Sequence, residues 1–111
     1  MHARAHLGEF ELMVLLVVLR LGEGAYGVPI AREIEKETGR EVGIGSVYAA
    51  LDRLQRKGLV SSTLGEPTPE RGGRAKRYFQ VTGLGLRRIR QIRRTLVALW
   101  RSLPQLERGI A

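Results

Sequence analysis

Apolar positions along the chain run almost unbroken in one stretch, recur with a helical period in three more and alternate in one short stretch, which a short run rich in β-branched and hydroxyl residues precedes. Residues 7–21 hold the densest run, LMVLLVVL at 12–19. They are apolar nearly all round, so the helix they predict is buried on more than one side. One small domain can hardly cover such a helix alone, which points to a second subunit and places Leu15 in the expected dimer interface. After the turn GEGAYG (22–27), residues 28–38 predict a second helix, with Ile30 and Ile34 inward and Glu33, Glu35, Lys36 and Glu37 outward. Gly39 is positioned to end it in the left-handed conformation. A third helix is predicted over 45–57, where Val47, Leu51 and Leu54 form the buried stripe. Gly45, Ala49, Asp52, Arg53 and Arg56 face away from that stripe, flanked by Ser46 and Tyr48. Two strand-like runs follow, LVSSTL at 59–64 and AKRYFQV at 75–81. In the second, Phe79 and Val81 share one face while Lys76, Tyr78 and Gln80 share the other. Between them EPTPERGGR (66–74) reads as a loop. Thr82 caps a fourth helix over 83–103, which Pro104 is expected to end. Ile89, Ile92, Leu96, Leu99 and Leu103 are spaced 3, 4, 3, 4 along it, the seam of a helix packed lengthwise on another helix.

The order helix, helix, helix, strand, basic loop, strand, helix defines the expected fold: mainly α with a small β-hairpin, a winged helix-turn-helix followed by a C-terminal dimerisation helix. The boundary falls at residue 82, with 1–82 as the DNA-binding domain, 83–111 as the dimerisation helix and tail, and residues 1–6 expected to be disordered.

Charge sharpens this reading. The net charge is +8, carried by 19 Lys and Arg against 11 Asp and Glu. Residues 1–50 hold five basic and seven acidic side chains, whereas 51–111 hold fourteen and four. From Arg71 to Leu106 there are ten basic residues and no acid, a pattern that suits a polyanion. In a winged helix-turn-helix the third helix fills the major groove and the hairpin lies on the flanking backbone. Arg71, Arg74, Lys76 and Arg77 are then phosphate contacts at the wing, and its glycines let the main chain come close. Arg53 is assigned to the same interface from its place on the outer face of the third helix.

Three segments, YGVPIAREIEKETG, SVYAALDRLQRKGLV and GGRAKRYFQVTGLG, resemble in that order the signatures of the PadR-like transcriptional regulators. The resemblance covers residues 7–103. It implies a bacterial or archaeal DNA-binding homodimer, usually a repressor, joined through its C-terminal helix and in some members responsive to small molecules. The short C-terminal segment is similar to the compact branch with one C-terminal helix. Ser46 and Tyr48 match family positions that approach DNA. Gly43 and Ile44 stand where the family often has Ser-Pro, so the third helix starts on a cap without a side-chain acceptor.

Other classes fare worse. With no cysteine, disulfides, thiolate metal sites and cysteine nucleophiles are excluded. The two histidines, His2 and His6, lie at the N-terminus; their i, i+4 spacing suits a metal only if that segment is helical, and neither a metal nor any other cofactor is expected. Ser61 and Ser62 have no histidine nearby in sequence, and GEGAYG lacks the Lys-Ser/Thr of a phosphate loop, so no enzyme is expected. The run at 12–19 is far short of the roughly 20 residues that span a bilayer, and Glu9 and Glu11 precede it where a signal peptide carries basic residues. A cytoplasmic protein without a membrane partner is expected. An RNA-binding or ribosome-associated protein would share the charge but calls for exposed aromatics, and a winged helix used only for protein contacts remains the third alternative. Trp100, beside the seam, reads as dimer core or as one wall of a cavity for a flat aromatic effector. Arg93, two turns earlier on nearly the same line, would suit an anionic one.

Overall fold

The computed structural model describes residues 6–66 and 75–107. The elements follow the expected order: α1 (Glu9–Leu21), α2 (Gly27–Thr38), α3 (Ile44–Arg56), β1 (Val60–Leu64), β2 (Arg77–Val81), α4 (Gly83–Arg101) and α5 (Pro104–Glu107). A 3-10 turn, Gly22–Gly24, joins α1 to α2. The C-terminal end departs from expectation. Helix α4 stops at Arg101, and Pro104 does not merely end a helix but opens the short α5, where its missing N–H is not needed.

The core is built from one face of each element. Val14, Leu15 and Val18 of α1 meet Ile30 and Ile34 of α2, Val47, Leu51 and Leu54 of α3, and Phe79 of β2. Leu15 has no exposed surface, so it belongs to the core of its own chain and not to an interface between chains. The apolar run of α1 is divided: α2, α3 and β2 bury most of its circumference, and only Leu16 and Leu19 remain open, at 43% and 45% exposure.

Strands β1 and β2 pair antiparallel, Val60 opposite Val81 and Leu64 opposite Arg77. The Gly65 N–H donates to the Lys76 carbonyl (2.7 Å) and lengthens the ladder towards the loop. The hairpin is tied to the body where the Phe79 N–H donates to the Ala25 carbonyl, 2.8 Å away. Thr82 joins hairpin and helix. Its Oγ1 accepts from the Gly85 N–H (3.0 Å) as an N-cap and donates to the Gly58 carbonyl (2.7 Å), while its own N–H donates to the Leu59 carbonyl. Gly85 is required here, because a Cβ would overlap the Leu59 carbonyl oxygen and press on Val81. Gly39 ends α2 at φ 73°, in the left-handed region as expected.

Among the described residues one carboxylate is buried. Glu11 accepts from the Arg53 Nε at 2.5 Å, from the Lys57 Nζ at 2.7 Å and from the Gly8 N–H at 3.2 Å. Burial alone would push this carboxyl upward. The bonds from Lys57, Arg53 and Gly8 outweigh it and hold the group at about 2, against an ordinary 4.5. A folded-state value below the unfolded one contributes stability that is full above the unfolded pKa, about 4.3, and is lost as pH falls towards 2. Arg53 is 42% exposed, so solvent screens part of the effect, leaving about 2 kcal/mol. Urea denaturation of wild type and Glu11→Gln should therefore differ by about that amount near neutral pH, and the gap should narrow through this acid window. A gap of the same size at both ends would mean that the ion pairs contribute nothing.

Candidate nucleic-acid interface

Helix α3 shows solvent the face opposite its buried stripe. At about 100° per residue, Gly45, Ala49, Asp52 and Arg56 occupy the centre of that face, and all are exposed. The first turn is built of small side chains, so the backbone of its N-terminus can come close to another surface. Gly43 caps it in an extended conformation with no side-chain bond, as the missing Ser-Pro implied. Ser46 is exposed on one flank, in a shallow notch it shares with Phe10, Arg40 and Val42.

Tyr48 stands on the other flank, 37% exposed. Its ring lies over the start of α2, where a Cβ on Gly27 would come within 2.6 Å of it. The absence of a side chain at Gly27 leaves the space that the ring occupies. Beside it the stem of the hairpin carries an aromatic support. Tyr78 meets Tyr26 edge to face, centroids 5.4 Å apart, and the Lys76 ammonium sits 4.8 Å from the centre of the Tyr26 ring. Arg77, next along the strand, points to the opposite face of the hairpin. There it lines a notch with Asp52, Gln55 and Arg56 of α3.

Several assigned residues are therefore brought together and some are not. Arg77 is brought beside Asp52, Gln55 and Arg56, Lys76 stands over Tyr26 on the other face of the hairpin, and Ser46 and Tyr48 flank the outer face of α3. Arg53, on the flank that meets α1, is held by Glu11. Its assignment to the outer face is corrected, and the arginine of that face is Arg56. The sequence offered both, three residues apart, and only the burial of Glu11, 42 positions earlier, separates them. Arg40, beside Ser46, was likewise not singled out. Arg71 and Arg74, assigned from the sequence to the wing, lie outside the described residues, as does His2. Among the described residues no cluster of acidic or histidine side chains could hold a metal, and no helix is long and apolar enough to cross a membrane.

The interface residues assigned to α4 lie apart from this surface. Ile89 is half-buried and packs against the core of its own chain, and Ile92 is half-buried. Leu96, Leu99 and Trp100 are 46–58% exposed, an apolar strip along the outer half of the helix, and Leu103, just beyond its end, is 41% exposed. Arg93 is exposed as well.

Three helices around one core, with a two-stranded wing beside an outward-facing third helix, make a winged helix-turn-helix, the class of small DNA-binding module. Residues 15–91 match the model of the transcriptional regulator PadR-like family, and the chain belongs to that family. It is a DNA-binding transcriptional regulator, not an enzyme. Solved structures agree on the fold. A PadR-like regulator from Bacillus cereus superposes with a TM-score of 0.69 at 23% identity, over 91% of this chain and 93% of its own. A PadR-like transcription factor from Bacteroides fragilis gives 0.65 at 28% identity, over 92% and 89%. The complex structure of hsRosR-S1 gives 0.68 at 25%, over 92% and 83%. No curated protein sequence matches the chain.

Proposed function

We propose that the chain is a cytoplasmic, homodimeric repressor that holds a roughly palindromic duplex, with half-sites about one helical turn apart. Residues up to 82 form the DNA-binding unit, and the rest joins two copies. The observation that carries this reading is the meeting of Arg77 with Arg56 beside the exposed small-residue face of α3. A groove-filling helix and a cationic stem then act on one duplex. Ser46 and Tyr48 read base edges; Arg56 and Arg77, with Lys76 and the tip arginines Arg71 and Arg74, hold phosphates.

Phosphate contacts carry no sequence information but set the salt dependence. Lys76→Gln with Arg77→Gln should weaken binding to all duplexes alike and lower the slope of log K against log salt by about 0.9 for each phosphate no longer neutralised. A weakening confined to one base position at unchanged slope would mean that the wing reads sequence.

Dimerisation rests on the exposed strip of α4, with the exposed Leu16 and Leu19 of α1 beside it in the reading. Leu96→Asp would put a charge into that interface at a cost of several kcal/mol. Sedimentation should show dimer for wild type and monomer for the variant; a wild-type monomer at micromolar concentration ends this reading.

Trp100, 46% exposed on one chain, is the wall of an effector cavity formed between two copies. A flat aromatic compound wedged there changes the separation of the two α3 helices and releases DNA, provided it binds the DNA-free form more tightly. As the single indole, Trp100 reports this directly. Its fluorescence should be quenched saturably over the concentration range that releases DNA. An unresponsive indole, with Trp100→Leu dimerising and binding DNA normally, would reduce it to interface packing.

A further inference from the structure

Helix α4 carries a second pattern that neither dimerisation nor the α3 interface uses. Six of its 19 residues are arginine and none is acidic. At about 100° per residue, Arg87, Arg90, Arg94 and Arg101 fall within one arc of about 60°. The apolar seam of Ile89, Ile92, Leu96 and Leu99 falls on the opposite side. All four arginines are exposed, and none of the four forms an ion pair among the described residues. The contrast with α2 is direct. There Glu33 and Glu37 hold Arg20 of α1, and acids alternate with Arg32 and Lys36. A surface kept charged only for solubility normally intersperses the two signs.

The ridge has the reach and the chemistry for a phosphate chain. Arg87 to Arg101 spans about 21 Å of helix, and duplex DNA carries one charge for about every 1.7 Å of its axis. The ridge can therefore run beside several phosphates of one strand. Val97 and Ala98 lie beside Arg94 and Arg101 in a shallow groove, so small side chains let a backbone come close to the guanidinium groups. Guanidinium is also the side chain best shaped to fork onto phosphate oxygens. No aromatic ring lies on the arc. Trp100 is on the seam side, so the ridge offers nothing on which unpaired bases could stack, and a duplex suits it better than a single strand.

We propose that the arginine ridge of α4 is a second DNA-binding surface. It holds the phosphate backbone of a duplex segment without reading its sequence, in addition to the segment engaged by α3 and the hairpin. With the seam covered by a second copy, each ridge faces outward, and one dimer joins two stretches of DNA.

Three variants separate this site from the α3 interface: Arg87→Gln/Arg90→Gln/Arg94→Gln/Arg101→Gln, the same four positions changed to Lys, and Lys76→Gln/Arg77→Gln. Glutamine and lysine keep the helix propensity of arginine, and thermal melting checks that each variant folds. The probe is a random-sequence duplex, followed by fluorescence anisotropy across a salt series. The glutamine ridge variant should bind with a slope lowered by about 0.9 for each phosphate that the ridge had neutralised, and the lysine variant should keep the wild-type slope. The hairpin variant should retain the binding that the ridge supplies. Wild type on beads carrying one duplex should capture a second, labelled duplex, and the glutamine ridge variant should hold the first and not the second. An unchanged slope and undiminished capture in that variant would overturn the proposal. So would loss of affinity for single-stranded RNA with duplex binding intact, which would assign the ridge to RNA. An unchanged hairpin variant would instead count against the wing reading alone.

Discussion

Where α4 leaves the body there is no room for a single extra carbon. Gly85 lies against the Leu59 carbonyl, and Thr82 binds the backbone at Gly58, Leu59 and Gly85 through its N–H and its hydroxyl. Apart from the Thr82 hydroxyl and the Val81 side chain, the partners in these contacts are main chain, which cannot adapt by changing rotamer. The direction of α4 is therefore set by the end of α3 and the start of β1, not by whatever later packs on the helix. In the proposed dimer, a change in the crossing of two α4 helices would reach the third helices of both units through this joint, because the joint has little slack to absorb it. The Thr-x-x-Gly that reads as a family signature is thus a geometric requirement: a hydroxyl to cap the helix and, three residues later, a position without a Cβ.

Helix α1 is the counterpart on the other side of α3. Arg20 binds Glu33 and Glu37 of α2, and Glu11 binds Arg53 and Lys57 at the end of α3. The two sets differ in kind. The Arg20 pairs are largely solvated and hold little. Glu11 is sunk against the core, so losing its cations would leave a charge in an apolar setting. The same helix leaves Leu16 and Leu19 open. An element that orients the DNA-reading helix from within is thereby also the element that a second copy would touch from outside.

The order of elements, the caps at Gly39 and Thr82, the inward Ile30 and Ile34 and the alternation of β2 were all legible because each depends on residues within one turn or one strand. What misled was long-range. Nothing local distinguishes Leu15 from Leu16. Burial of the first by α2, α3 and β2 decides which faces out, and no period within a run apolar on every side reveals it. Arg53 and Arg56 occupy the same nominal face, and a carboxylate on another helix draws one of them away. Pro104 read as a stop because the residues after it lack a helical repeat. A single turn needs no repeat, only the N1 position that proline fills well.

The two sides of α4 explain why its composition looks contradictory. A helix rich in leucine, with a tryptophan, reads as an interface, and a helix with six arginines and no acid reads as a solvated arm. The two sets occupy opposite arcs and so do not compete. The seam needs apolar side chains every three or four residues, and that spacing leaves the far arc unconstrained by packing. Evenly mixed charge would suffice there for solubility, and lysine would serve as well as arginine. Arginine alone, at four positions on one line, adds what lysine does not: a flat donor fork that matches phosphate oxygens and costs less to strip of water. That side chain favours a phosphate surface over bulk solvent, and its repetition along about 21 Å favours a linear polyanion over a small one.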